Sequence, residues 1–182
     1  MPRVAHGATR MSLDFMVVSG ERSGSTWVAN WLTTDSSICF HDPRLRWTEQ
    51  QICHLSVPRK RVGICCTYAG IDPEWANRQN VPTLVLHRDP QEVEASWRRI
   101  GVVPFVSRPP LDCVAGWHVD WRAPRDPKVA TEIYEFLLWK PIDLVRHQEL
   151  VQMNIQPHFT GLTHGKASME ELTRKITESM NK

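Results

Sequence analysis

The sequence lacks the features that mark disulfide-rich, zinc-binding, membrane-spanning and nucleic-acid-binding proteins. Its five cysteines form no Cys-x-x-Cys pair and are odd in number, which argues against a zinc site and a disulfide framework and favours a reducing cytoplasm. No apolar run reaches the length of a membrane span, and the first residues lack the apolar centre of a signal peptide. The net charge of +2 comes without a basic tract, so no nucleic-acid partner is indicated. We therefore predict a cytoplasmic protein with no membrane span.

The length fits one domain. A chain of 182 residues can bury a single hydrophobic core. We predict one domain over residues 1–182, with a flexible leader at 1–12 and a proline-rich, loop-rich lid at 102–127. Trp117 and Trp121 in this lid are candidates for lining an acceptor pocket, with packing under a long loop as the alternative. The sequence leaves the oligomeric state open.

Apolar runs of strand length alternate with helical patterns along the chain. Strands are predicted at 15–18, 62–67, 81–87 and 151–155, with a shorter apolar piece at 38–40. Helices are predicted after residue 24, near 48–55, at 73–78, from 90 to 101, near 111–121, and at 128–147 and 168–180. This alternation predicts an α/β fold, a three-layer sandwich with a central parallel sheet.

The first predicted strand and helix are joined by a turn that contains Gly20 and Gly24. Glycine lets the backbone bend so that consecutive N–H groups converge, and the following helix adds its own unpaired amides. Side chains of the turn offer one positive charge and three hydroxyls: Arg22, Ser23, Ser25 and Thr26. The turn therefore predicts an anion site, with a tight strand-to-helix turn that binds no ligand as the alternative.

A second polar segment follows the predicted strand at 81–87. Asp89 suits the cap of a helix and Pro90 its first position, with Glu92 placed for a capping box. Arg88 therefore lies at the carboxyl end of a strand, where open α/β sheets bind ligands. Ser96 lies two turns into the helix. An ordinary ion pair for Arg88 and a bond from Ser96 to its own helix backbone are the alternatives.

These two segments resemble a known family. Residues 22–27, Arg-Ser-Gly-Ser-Thr-Trp, are similar to the 5′-phosphosulfate loop of sulfotransferases that use 3′-phosphoadenosine 5′-phosphosulfate (PAPS), a common form of which is Lys/Arg-Ser-Gly-Thr-Thr-Trp. Arg88 and Ser96 match the Arg and Ser that hold the 3′-phosphate in that family. The resemblance covers residues 15–101. It implies a short, bacterial-type or phage-type sulfotransferase with a P-loop NTPase-like topology.

The resemblance also implies a role for each matched residue. In this family the 5′-phosphosulfate would be held by Arg22, Ser23, Gly24, Ser25 and Thr26. Trp27 would stack on adenine, Arg88 and Ser96 would bind the 3′-phosphate, and Arg22 would stabilise the leaving phosphate. The reaction would move a sulfuryl group from PAPS to a hydroxyl or amine of a small-molecule or glycan acceptor. It would release adenosine 3′,5′-bisphosphate and need no metal.

An acceptor hydroxyl also needs a base. Some members of the family carry an acidic or histidine residue where His41 and Asp42 stand. We predict Asp42 as the base, with His41 as its orienting partner or replacement. The alternative is an ordinary Asp-Pro turn, because a proline after Asp42 favours an extended backbone there. His54 and His118 are weaker candidates, and His87 is expected to be a core or rim histidine.

The chain also departs from the family. A late basic, glycine-containing segment that closes over the nucleotide has no clear equivalent, and the nearest stretch is 163–166. Two alternatives to a sulfotransferase stay open. A P-loop kinase-like enzyme would need lysine after the second glycine, where Ser25 stands, and an aspartate for magnesium. A non-catalytic nucleotide-binding protein on the same scaffold is the other.

Overall fold

The part of the chain that the structure describes forms a five-stranded parallel sheet between helices. The computed structural model describes residues 13–45, 47–67, 72–99 and 111–153. In chain order these residues form β1 (Phe15–Ser19), α1 (Ser25–Trp31), β2 (Ser37–His41), α2 (Glu49–Cys53), β3 (Arg61–Cys66), α3 (Pro73–Arg78), β4 (Thr83–His87), α4 (Pro90–Arg99), β5 (Trp117–Asp120), α5 (Pro127–Leu138) and α6 (Leu144–Gln152). The strand order is β2-β3-β1-β4-β5, with every pair parallel. This confirms the predicted α/β fold and central parallel sheet.

Alternating side chains of the central strand build two hydrophobic cores. Phe15 and Val17 of β1 pack with apolar residues of α1 and α5 on one face of the sheet. Met16 and Val18 pack on the opposite face with a cluster that includes residues of α2 and α3. A strand buried on both faces reads as a continuous apolar run, which is why β1 was visible in the sequence. None of the helices in the described ranges has both the length and the apolar character needed to cross a bilayer.

This topology places two loops side by side. β1 pairs with β4 in parallel register, from Met16 opposite Thr83 to Ser19 opposite Leu86. The turn after β1 and the segment after β4 therefore leave the same edge of the sheet from neighbouring strands. Ligands of open parallel sheets bind outside this carboxyl edge.

One local prediction was wrong, and one apolar piece whose structure the sequence left open is a strand. The apolar piece at 38–40 is part of β2 and pairs with β3. The helix predicted near 111–121 is one turn of 3-10 helix followed by β5. In β5, Trp117 and Val119 are half-buried and alternate with exposed His118 and Asp120, the two-residue period of an edge strand. This strand also means that the described part of the predicted lid is partly sheet.

The long helix predicted at 128–147 is two helices. α5 ends where Trp139 adopts a left-handed backbone with φ of 56°, and Pro141 prevents the helix from continuing at once. Asp143 then caps α6 by accepting a hydrogen bond from the Arg146 N–H at 3.0 Å. Val151 belongs to α6, so the strand predicted at 151–155 does not begin there. By contrast, α3 has the predicted bounds.

Several predictions lie outside the described residues. These are the leader at 1–12, positions 102–110 of the lid, the end of the helix predicted from 90 to 101, residues 154–155, the closing helix at 168–180 and the stretch at 163–166.

His147 makes folding sensitive to acid. Its side chain is 1% exposed and packs against Trp27 and Trp31, with ring centroids 6.1 and 5.7 Å away. Burial lowers the pKa of His147 from its usual value. The unfolded chain therefore binds a proton more readily than the folded one, so stability is lost as the pH falls below about 6.5.

We expect the free energy of unfolding to fall from about pH 7.5 to about pH 5, and to fall less steeply in His147→Gln. Urea unfolding at a series of pH values measures both slopes. Gln148→Ala, an exposed change on the same helix, should keep the wild-type slope. Equal slopes for the wild type and His147→Gln would assign the acid sensitivity to another group.

Candidate functional site

The turn after β1 has the backbone geometry of an anion site. Arg22 and Gly24 have positive φ angles of 60° and 75° on either side of Ser23. Residues in left-handed conformation within a turn let successive N–H groups point toward one concavity. A Cβ at position 24 would meet its nearest neighbour, the Trp121 Cε3 atom, only at 3.7 Å. Backbone conformation, rather than space, is therefore what favours glycine there.

Side chains from the two predicted motifs meet at this turn. The Arg22 Nε donates a hydrogen bond to the Ser96 Oγ at 3.1 Å. The Arg88 guanidinium donates to the carbonyl oxygen of Arg22. Arg22 and Ser96 are 74 positions apart in the chain, so only the pairing of β1 with β4 brings them together. The structure thus places three of the predicted nucleotide-binding residues in one cluster.

Arg88 is also held from its other side. Its Nε lies 3.3 Å from a carboxylate oxygen of Glu92, and its guanidinium lies 4.1 Å from the ring centroid of Trp121. Glu92 accepts further hydrogen bonds from Arg122 and from the Trp121 indole. Hydrogen bonds from Arg122 above all lower the pKa of Glu92, so the carboxylate stays ionised. An anion that binds Arg88 must share it with Glu92.

The contacts of Glu92 with the arginines change the predicted cap at the start of α4. The Asp89 carboxylate accepts hydrogen bonds from the N–H groups of Gln91 at 2.7 Å and Glu92 at 3.3 Å. Asp89 therefore caps α4 as predicted. The Glu92 side chain turns to the arginines, however, and does not complete a capping box in the described contacts.

Positive charge is concentrated at the turn. The pKa of Arg22 is lowered first by burial and then by the charges of Arg88 and Arg99. Repulsion of this kind means that the guanidinium groups lie close together in an environment of reduced dielectric. A bound anion with more than one negative charge would relieve it. The cluster therefore combines partly buried positive charge with one carboxylate, Glu92, that offsets part of it.

Trp27, the tryptophan that follows the turn, packs largely into the core. Trp27 is only 7% exposed; its indole donates to the Leu150 carbonyl at 2.7 Å and stacks on Trp31 at 5.5 Å. Most of its surface is thus used by the core, and adenine stacking on it stays a prediction. Trp121 instead faces Gly24. Its position depends on β5 lying beside β4, which no local pattern in the sequence revealed.

His41 and Asp42 lie behind the turn in a buried chain of polar groups. The His41 Nε2 is 2.8 Å from the Ser25 Oγ and 3.5 Å from the Thr26 Oγ1. The His41 Nδ1 is 3.5 Å from an Asp42 carboxylate oxygen, and the other Asp42 oxygen accepts the Thr67 N–H at 2.6 Å. His41 is therefore the nearer of the two residues to the turn, with Asp42 behind it.

The backbone of Asp42 is also unusual. The proline after it favours an extended conformation, but Asp42 has a φ of 46°. A left-handed residue that is not glycine costs free energy unless its surroundings fix it. Here the Asp42 N–H donates to the Cys65 carbonyl at 2.7 Å, and the Thr67 N–H fixes its carboxylate. These two bonds hold the Asp42 backbone and side chain in place.

The cysteines near the turn are core residues. Cys39, Cys65 and Cys66 are buried, and burial raises the pKa of each thiol. A neutral buried thiol is a poor nucleophile and a poor metal ligand. The prediction of core thiols at 65 and 66 is thereby confirmed.

No protein-family model, curated protein or solved structure matched the chain. Any role for the residues at the turn therefore has to be argued from their chemistry and geometry alone.

Proposed function

We propose that the protein is a PAPS-dependent sulfotransferase that moves a sulfuryl group to a hydroxyl or amine of a small-molecule or glycan acceptor. The observation that carries the proposal is the meeting of Arg22, Arg88 and Ser96 beside a turn with anion-binding geometry. The two segments were linked only by their likeness to one family, and nothing local in the sequence requires them to touch. A P-loop NTPase-like topology belongs to the same proposal.

Two anionic ends distinguish PAPS from most nucleotides, and the cluster offers groups for both. The turn, with Arg22, Ser23, Gly24, Ser25 and Thr26, would hold the 5′-phosphosulfate through backbone amides and hydroxyls. Arg88 and Ser96 would bind the 3′-phosphate. Trp121, through its contact with Arg88 and its position over Gly24, would close one side of the site.

Sulfuryl transfer resembles phosphoryl transfer in its demands on a protein. The transition state is loose and in line, and charge builds on the oxygen that bridges sulfur and phosphorus. Preorganised positive charge beside that oxygen therefore supplies much of the rate. Arg22 would stabilise the leaving phosphate in this way. Because arginines and amides meet the charge of the nucleotide, the step needs no metal.

The geometry supports different roles for the two candidate bases, His41 and Asp42. His41 contacts the hydroxyls of the turn, and Asp42 contacts His41. A carboxylate beside one ring nitrogen orients the imidazole and favours proton uptake at the other nitrogen, which here lies 2.8 Å from the Ser25 Oγ. In the proposed mechanism His41 therefore removes the acceptor's proton, and Asp42 orients it. These roles are the reverse of the first choice made from the sequence, in which Asp42 was the base and His41 its orienting partner.

Ligand binding separates this proposal from its alternatives. We expect adenosine 3′,5′-bisphosphate without magnesium to raise the Tm by about 5–10 °C at a concentration of about 100 Kd. Adenosine 5′-monophosphate, which lacks the 3′-phosphate, should give a smaller shift. Stabilisation by ATP that requires magnesium, with none from the bisphosphate, would support a kinase-like enzyme instead.

A second assay tests catalysis. Labelled PAPS incubated with the protein and a panel of hydroxyl and amine acceptors should yield labelled product and adenosine 3′,5′-bisphosphate. Binding without transfer to any acceptor, and without change on replacing His41, would support the non-catalytic alternative.

A further inference from the structure

A separate group of polar side chains lies where β4 and β5 pair at the edge of the sheet. One candidate ligand atom from each of His87, Asp112 and His118 lies within 4.8 Å of the others. Two imidazoles and a carboxylate form a typical ligand set for zinc. We infer that these residues, the His87–Asp112–His118 cluster, form a Zn²⁺-binding site.

The ring of His118 is already oriented as a ligand. Its Nε2 lies 2.9 Å from the Val114 carbonyl oxygen. Because a carbonyl only accepts hydrogen bonds, Nε2 carries the proton in the neutral ring and Nδ1 carries the lone pair. Metal-bound histidines normally donate their second ring N–H to such a partner, which fixes the tautomer.

The lone pair of His118 faces the second histidine. The His87 Nε2 lies 2.8 Å from the His118 Nδ1, and the rings stack with centroids 5.0 Å apart. Zinc at about 2.0–2.1 Å from each nitrogen would hold the two nitrogens about 3.3 Å apart in a tetrahedral site. A small separation of the rings, with transfer of the His87 proton from Nε2 to Nδ1, would therefore admit the ion.

Regular structure and a tethered turn hold the ligands. His118 lies opposite Val85 in the register of β5 with β4, and His87 ends β4. The Asn77 side chain donates to the Cys113 carbonyl at 2.9 Å and accepts from the Ala115 N–H at 2.7 Å. These bonds fix the segment between Asp112 and His118. A site on fixed elements loses little conformational freedom when it binds.

The exposure of the cluster leaves room for further ligands. Asp112 and His118 are exposed and His87 is half-buried, so water can occupy a fourth position on the ion. No metal was predicted from the sequence, because the cysteines form no Cys-x-x-Cys pair and the implied sulfuryl transfer needs no metal; two histidines and an aspartate from separate segments leave no such local pattern. The cluster contains none of the residues proposed to bind the nucleotide, so the zinc site does not depend on the proposed function.

Metal titration of the untagged 182-residue chain tests the site. We expect one equivalent of Co²⁺ to produce visible absorption bands and one equivalent of Zn²⁺ to abolish them. His118→Gln and Asp112→Asn should each weaken Zn²⁺ binding at least about tenfold. His54→Gln, at an exposed histidine just after α2, is the matched control and should keep the wild-type affinity.

Three results would overturn the site: no stoichiometric Zn²⁺ binding by the wild type, wild-type affinity in both cluster variants, or an equal loss in His54→Gln. Circular-dichroism melting of each metal-free variant shows whether it is folded. If His118→Gln does not fold, the Zn²⁺ affinity of Asp112→Asn alone tests the site, because the Asp112 side chain is exposed and the change keeps its size.

Discussion

Arg88→Met is expected to weaken the binding of adenosine 3′,5′-bisphosphate by roughly 10- to 100-fold, since a hydrogen bond to a charged group contributes about 1.5–3 kcal/mol. In the proposed complex Arg88 binds the 3′-phosphate, so the loss should depend on that group. Adenosine 5′-monophosphate should bind the variant and the wild type with nearly equal affinity. Isothermal titration with the two nucleotides measures both effects. Methionine keeps an apolar stem over Trp121.

Arg98→Met is the control for this prediction. Arg98 lies on the same helix, is exposed and pairs with Glu94, so its loss should leave both affinities unchanged. Arg88 also donates to the Arg22 carbonyl, and removing it could loosen the turn. Equal losses for the two nucleotides would mean that Arg88 acts through the turn, and would contradict a contact with the 3′-phosphate.

Gly63→Ala is expected to lower the free energy of unfolding by about 3 kcal/mol, at the high end of the cost of overpacking a core. Gly63 lies in β3 directly opposite Phe15 of β1. A Cβ at position 63 would lie 2.2 Å from the Phe15 Cε2 atom, and the Phe15 side chain is fully buried. Neither strand can move aside, because β1 and β3 are paired on both edges. Urea unfolding followed by tryptophan fluorescence measures the loss.

The double variant Phe15→Val/Gly63→Ala tests the cause. Valine lacks the ring atoms that the new Cβ would meet, so the double variant should be more stable than the sum of the two single losses predicts. A coupling of this kind is expected for residues in contact and absent for distant ones. Strictly additive losses would mean that the ring of Phe15 is not what excludes a side chain at position 63.

The sequence predicted the parts of the fold that depend on near neighbours. Buried strands such as β1 and β4 are continuous apolar runs, and α3 is bounded by a capping aspartate and an early proline, so both can be recognised within a few residues. β5 escaped because its alternating pattern is only four residues long and belongs to a segment dominated by prolines and turns. Its partner, β4, lies far earlier in the chain, with Leu84 paired to Trp117. The hydrogen bonds to β4 are what make this short segment a strand.

The candidate site divides in the same way. Local chemistry was enough to select the turn at 20–26 and Arg88 at a strand end, because glycines, hydroxyls and the end of an apolar run are visible in the chain itself. The pairing of Arg88 with Ser96 came from the likeness to the sulfotransferase family. Which groups touch is a property of strand order. The parallel pairing of β1 with β4 brings Ser96 to Arg22, and the pairing of β2 with β3 places His41, rather than Asp42, against the hydroxyls of the turn.

The sequence by itself determined an alternating α/β chain with two polar segments at the ends of buried strands. Tertiary structure alone decided that Glu92 shares Arg88, that Trp121 covers the turn, and that His87 and His118 face each other. Hydrophobic periodicity and turn chemistry act over a few residues and are written in the local sequence. Contacts between strands depend on which elements become neighbours in the sheet, and burial of the whole core selects that arrangement.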